Sequence, residues 1–200
     1  MCNSFRIGVL GLQGAISEHV NRLKELEQQP VVVKKSTDLH QLDGLIIPGG
    51  ESTAIWKLIE ENKLYEPIQN FANEGKAIFG TCAGLVLLSK TTIGRDYTPT
   101  LKLMDITVQR NGFGRQKDSF EATIQAKYMD DSYHAVFIRA PYIESVGEGV
   151  EVIASYNDKI VAARQKNVLV CAFHPELTDD DRFLEMFLTM ISSNKNFNHV

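Results

Sequence analysis

Through the first ninety residues, short apolar runs alternate with segments of helical periodicity, and few folds accept that order. Phe5 to Leu12, Pro30 to Lys34, Asp43 to Ile47 and Ala77 to Phe79 read as buried strands. After the first, Ile16, Val20, Leu23 and Leu26 recur at spacings of four, three and three, which predicts a helix with one apolar face. A second helix is expected after Pro48-Gly49-Gly50, with Ile55, Leu58 and Ile59 on its apolar side and Trp56 flanking it. This β-α-β-α order argues for a parallel sheet covered by helices on both faces. Ligands bind such sheets beyond the C-terminal ends of the strands, where the two glycine-rich turns, 48–50 and 80–84, both fall.

From Leu103 the texture changes to shorter segments rich in β-branched residues, at 103–109, 120–126, 134–139, 150–156, 159–164 and 168–173. They read as an antiparallel or mixed extension of the sheet. Thr178 offers a helix N-cap, with Asp179, Asp180 and Asp181 in the first turn. Phe183, Met186, Phe187, Met190 and Ile191 then form a core-facing stripe, and the polar tail, 194–200, is expected to fray. No repeat or linker interrupts the chain, so 1–200 is read as a single domain.

Charge and hydropathy narrow the function. A net charge of −4 gives no basic footprint for nucleic acid, and the apolar runs of about six residues fall far short of the roughly 20 that span a bilayer. The first residues carry none of the regions of a signal peptide, so a cytoplasmic location is expected. Cys2, Cys82 and Cys171 are an odd, scattered set with no metal-ligand spacing.

Of these, Cys82 stands out. In Gly80-Thr81-Cys82-Ala83-Gly84 it lies between an apolar strand and a helix, with glycine two positions to either side. So sharp a turn needs flanking residues with little or no Cβ, and it thrusts the side chain above the sheet. At a helix N-terminus the thiolate is favoured, each unit of pKa lowering being worth roughly 1.4 kcal/mol. The Ala83 N–H, next after the sulfur, is a natural oxyanion donor. A cysteine taken at random is more often a small buried hydrophobe; the glycine frame reverses that balance for Cys82, whereas Cys171 and Cys2 keep it.

A cysteine nucleophile needs a base, and the base an orienting group. His19 lies on the first helix, His40 and His134 in polar surroundings, and His199 in the tail. His174 directly follows a strand in Phe173-His174-Pro175-Glu176. The proline holds the peptide extended, and Glu176, two residues on, can fix the imidazole tautomer.

Taken together, these turns and Pro48-Gly-Gly-Glu-Ser52 resemble the class I, triad-type glutamine amidotransferases. More narrowly, the chain is similar to the glutaminase subunits of pyridoxal 5′-phosphate synthase. The segments carrying that likeness are 8–15, 48–53, 110–116, 137–141 and 173–178. The resemblance implies a three-layer α/β sandwich with a mostly parallel central sheet and an antiparallel extension. It implies a Cys82-His174-Glu176 triad that hydrolyses L-glutamine through a glutamyl thioester, with backbone N–H groups at Gly50 and Ala83 holding the oxyanion. Substrate contacts would fall on Gly50, Glu51, Ser52, Arg110, Ile138 and Arg139. Independently, an arginine suits the substrate carboxylate because its planar fork binds carboxylates bidentately. Without the likeness, Arg110 and Arg139 would read as surface arginines and Glu51 as a first-turn acid.

No metal or organic cofactor is implied. Ammonia set free in neutral water is protonated and stops being a nucleophile, which is a reason for such a subunit to dock on a synthase and channel its product. In this family the synthase subunit is that partner, and Gln13-Gly14, a turn beside the expected site, is the candidate partner-responsive loop. A glutaminase for another pathway, such as imidazole glycerol phosphate synthesis, would carry the same triad. A cysteine-peptidase-like relative would lack the 173–176 segment, and a non-catalytic regulatory subunit would be expected to have lost a triad residue.

Overall fold

The computed structural model describes residues 4–94, 98–113 and 118–197, with the side chains of 195–197 excepted. Cys2, His199 and residues 114–116 of the segment 110–116 lie outside the described residues. The chain order begins β1 (Arg6–Leu10), α1 (Ile16–Glu25), β2 (Gln29–Val33), β3 (Gly44–Ile47), α2 (Ser52–Glu61) and α3 (Tyr65–Asn73). It continues through β4 (Ala77–Thr81), α4 (Ala83–Leu88), β5 (Ser89–Ile93), β6 (Met104–Gln109), β7 (Ser119–Ile124) and β8 (Tyr133–Ile138). The last elements are β9 (Tyr142–Val146), β10 (Glu151–Tyr156), β11 (Lys159–Gln165), β12 (Val168–Cys171) and α5 (Arg182–Phe197).

Nine strands of the main sheet run in the order β2-β1-β3-β4-β12-β11-β9-β6-β5, with β10 paired to β11. β2, β1, β3, β4 and β12 are all parallel neighbours, so the alternation in the sequence produces the sheet it predicts. Residues on successive positions of a strand face opposite sides. On β4, Phe79 meets Phe187 of α5 at 5.7 Å between ring centroids. The next residue, Gly80, faces the other way, against Leu88 and Gly84 of α4. Helices therefore cover both faces, and the fold is a three-layer α/β sandwich. The five parallel strands have almost no polar side chain facing either layer: β3, β4 and β12 are buried throughout.

Five expectations need correction. Segments 120–126 and 134–139 do not extend the main sheet; β7 and β8 form a separate two-stranded antiparallel sheet. Its alternating pattern specifies a half-buried strand but not its neighbour. The aromatic contacts supply that: Phe120 and Phe137 stack at 4.7 Å, and Phe137 meets Phe173 edge-on at 5.6 Å. Such pairs add about 0.5–1.5 kcal/mol each beyond area burial, and they press the hairpin against the end of β12.

Second, β5 and β9 arise where no strand was expected. Third, Thr178 does not cap the last helix: it closes a 3-10 turn over Pro175–Leu177, and α5 begins only at Arg182. The first amide bond of that helix runs from Glu185 N to Asp181 O at 2.8 Å, and Asp180 binds the Arg182 guanidinium instead of filling a first turn. Fourth, α5 continues to Phe197, so 194–197 of the expected tail are helical, and 198–200 lie outside the described residues. Trp56, expected at the flank of α2, is in fact buried, edge-on to Tyr65.

No helix among the described residues is long and apolar enough to cross a membrane.

Candidate active site

Four adjacent parallel strands end on one side of the sheet, and each delivers one part of the site. β4 delivers Cys82, whose backbone sits at φ +48° and ψ −100°, in the positive-φ region that a side chain rarely adopts. Strain of that kind persists only where the surroundings enforce it. Here a bond from Cys82 N to Cys171 O at 2.9 Å holds the turn to β12, and the flanking glycines close it. A Cβ on Gly84 would overlap the Ile47 carbonyl, and one on Gly80 would press on Leu88 and Gly84. The glycine frame is thus a packing requirement, as the sequence suggests. The helix that follows, α4, is only six residues long.

β12 runs on through Ala172 and Phe173 to His174, whose N–H donates to Val136 O on β8 at 2.9 Å. The His174 Nδ1 to Glu176 Oε1 distance is 2.7 Å, and both residues are buried. Pro175 opens the 3-10 turn that folds Glu176 back on the imidazole. Gly49 lies between His174 and Cys82: a Cβ there would lie 2.5 Å from His174 Cε1 and 3.3 Å from Cys82 Cβ. The thiol itself donates to Ile138 O at 3.7 Å, so the hairpin end is part of the site.

The electrostatics follow from burial set against partners. Burial opposes a charged imidazole, but hydrogen bonds to Cys82 and Glu176 outweigh it, and His174 is pushed up to about 10. Burial also opposes the Glu176 charge, yet the neighbouring His19 and His174 hold its carboxyl below the usual range. At neutral pH the imidazole therefore carries a proton beside the sulfur and above an ionised carboxylate. The His174 ring resonance, followed by NMR from pH 5 to 11, should titrate near pH 10 and move down in Cys82→Ala, which removes a group that raises it. Titration of the native ring in the ordinary histidine range would contradict this electrostatic account.

The loops after β1 and β3 form the opposite wall. Ala15 N donates to Gly49 O at 2.9 Å, and Glu51 N to Gln13 Oε1 at 2.8 Å, so the Gln13-Gly14 turn clasps the 48–51 loop. Gly14 has φ +111°, and a Cβ on it would overlap Gly49 O. Among the described residues, neither the Gly50 nor the Ala83 N–H has a protein acceptor. The Gly49 N–H, by contrast, is taken by Thr81 Oγ1 at 3.1 Å.

Glu51 caps α2 by accepting from Thr53 N at 3.0 Å and Ala54 N at 2.7 Å. It also lies 3.5 Å from Arg110 Nη2, so two candidate substrate contacts far apart in sequence meet here. Burial works against the Glu51 charge, but those two amides and Arg110 hold its carboxyl below the ordinary range. Arg110 Nη1 donates to the buried Thr98 at 2.6 Å. Ser52, the first residue of α2, is buried. Arg139 follows Ile138, is exposed and has φ +45°. Among the described residues no three His, Cys, Asp or Glu side chains are grouped as a metal ion would need.

A strained cysteine, a buried His-Glu pair and a glycine-lined loop at the ends of parallel strands describe a chemistry, and comparison with known proteins supplies its lineage. The model of the SNO glutamine amidotransferase family matches residues 9–193. The chain belongs to that family. Among glutamine amidotransferases of known structure, one is 44% identical and superposes with a TM-score of 0.88 over 93% of this chain and 98% of its own. PurLQS from Thermotoga maritima, only 14% identical, shares the fold with a TM-score of 0.67 over 96% of this chain and 97% of its own. By sequence, the chain is 56% identical to the pyridoxal 5′-phosphate synthase subunit PdxT of Geobacillus thermodenitrificans, over 95% of this chain and 97% of the relative.

Sequence reasoning passed over three residues in this amidotransferase site. Thr81 and Gly49 lie inside motifs already singled out, one residue away from the positions chosen. His19 was placed on the first helix and given no role, but it is fully buried, with Nε2 3.4 Å from Glu176 Oε2. Its spacing from Ile16 and Leu23, three and four residues, puts it on the apolar stripe, and that was the available signal.

Proposed function

We propose that this chain is the glutaminase subunit of a pyridoxal 5′-phosphate synthase. It is a single catalytic domain over 1–200 that acts in the cytoplasm without a cofactor and passes ammonia to a synthase subunit. The observation that carries the reading is the buried 2.7 Å His174–Glu176 pair beside a cysteine on a positive-φ turn. The identity of 56% to a subunit of that synthase supports the choice of pathway.

In this reading the Cys82 thiolate attacks the side-chain amide carbon of L-glutamine. The negative charge moves to the carbonyl oxygen, where the Gly50 and Ala83 N–H groups receive it, a contribution of roughly 3–4 kcal/mol per donor. His174 gives its proton to the amide nitrogen, the C–N bond breaks and ammonia leaves. A glutamyl thioester remains on Cys82. His174, now neutral, takes a proton from water, which attacks the thioester and releases glutamate. Glu176 keeps the imidazole in the tautomer that serves both steps and balances its charge. Glu51 and Arg110, already paired, together with Ser52, Ile138 and Arg139, hold the amino-acid end of the substrate.

Gln13-Gly14 is the loop through which the synthase acts. Because it hydrogen-bonds the 48–51 loop, a partner that moves it also moves the Gly50 N–H. Glutamate release should rise when the cognate synthase is added. Equal turnover with and without it would remove the partner from the account, and no release in either case would remove the glutaminase.

A further inference from the structure

The His174–Glu176 pair does not end at Glu176. The second carboxylate oxygen, Oε2, is buried without a hydrogen bond, and the group facing it is His19 Nε2 at 3.4 Å. His19 is itself fully buried on α1, and its Nε2 also lies 3.2 Å from Thr81 Oγ1. That hydroxyl accepts the Gly49 N–H at 3.1 Å. One imidazole therefore touches both the carboxylate behind the catalytic base and, through a single hydroxyl, the strand end beside the oxyanion loop.

The surroundings choose its tautomer. Complete burial disfavours a charge on His19 while the nearby Glu176 favours one, and for the neutral ring the contacts decide which nitrogen carries the proton. With that proton on Nδ1, an unpartnered donor would be buried and a lone pair on Nε2 would face a carboxylate. With the proton on Nε2, the N–H points to Thr81 and lies against Glu176, and only an acceptor, Nδ1, goes unmatched. Orphaned buried donors are rarer than under-satisfied acceptors, so the proton sits on Nε2.

We propose that His19 is a positioning residue of the glutaminase site, holding Glu176 in line with His174 and tying that pair through Thr81 to the Gly49 strand end. It makes no contact with the substrate, and the proposal rests on the glutaminase reading above. Without the His19 N–H, Oε2 would lose the group that faces it at 3.4 Å, and the carboxylate could turn away from His174. The reaction would slow while substrate binding would stay as it was.

The test compares His19→Leu, His19→Gln and His19→Asn in the full chain with its synthase partner, reading kcat and KM for glutamate release per mole of folded protein. Gln can place an amide N–H near the position of Nε2; Asn, one methylene shorter, cannot reach Glu176. His19→Leu and His19→Asn should lose about 10- to 100-fold in kcat with KM within about threefold, as when an orienting partner is removed from a functional group. His19→Gln should recover most of the rate. Should His19→Leu fail to fold, the Gln and Asn pair decides. Native kcat in folded His19→Leu, or equal kcat in the Gln and Asn variants, would overturn the proposal. A native complex that releases no glutamate would instead overturn the glutaminase reading.

Discussion

Cys82→Ala should release glutamate from glutamine at least about 10,000-fold more slowly than the native chain, while Cys171→Ala keeps the native rate. The two cysteines lie on adjacent strands and are joined by a backbone hydrogen bond, yet their environments differ in kind. Burial drives the Cys171 thiol well above its ordinary range, and among the described residues its sulfur hydrogen-bonds only the Phe173 carbonyl, at 3.4 Å. It is therefore an inert core side chain. Cys82 sits at the open end of the strand, within reach of an imidazole that holds a proton. Removing its sulfur leaves the binding residues and the oxyanion donors in place, so the loss should fall on kcat. A comparable loss in folded Cys171→Ala would contradict the assignment.

The second large effect is expected for Glu176→Gln, on the order of 1,000-fold in kcat with little change in thermal stability. Glutamine fits the same space, so the packing survives, but two things change. The charge that helps hold the proton on His174 is lost. The amide can also present its NH2 to Nδ1, and that stabilises the tautomer whose proton points at the sulfur before any thiolate has formed. The His174 resonance should titrate lower in this variant than in the native chain. Glutamate release at the native rate from Glu176→Gln would remove Glu176 from the catalytic group.

Much of the site was legible because its chemistry is local in sequence. Cys82 is marked by glycines two residues to either side, and Glu176 follows His174 at a spacing that one proline enforces. The central parallel strands were legible for a similar reason: β3, β4 and β12 are short runs buried on both faces, which read as continuous apolar sequence. What escaped depends on long-range packing. β5, Ser-Lys-Thr-Thr-Ile, is a strand only because β6 lies beside it, and its side chains carry no period that marks it. The hairpin β7–β8 alternates clearly, but alternation says nothing about which sheet it joins; Phe120, Phe137 and Phe173 decide that. Thr178 has the chemistry of a helix cap and sits in a chain still committed to the turn that Pro175 began. His19 was hidden by the polar residues near it, Ser17, Glu18 and Asn21, although its helical position is apolar. The meeting of Glu51 with Arg110 spans nearly sixty residues and no local rule reaches it.

The central claim, that Cys82 carries the glutamyl group of glutamine during turnover, has a direct chemical signature. The chain is mixed with its synthase and glutamine, quenched in acid during turnover and digested, and the cysteine-containing peptides are weighed by mass spectrometry. The peptide containing Cys82 should gain the mass of one glutamyl group, and hydroxylamine should remove it, as it does a thioester. A glutamyl group on the Cys171 peptide instead would contradict the account, and so would native-rate glutamate release by Cys82→Ala under the same conditions.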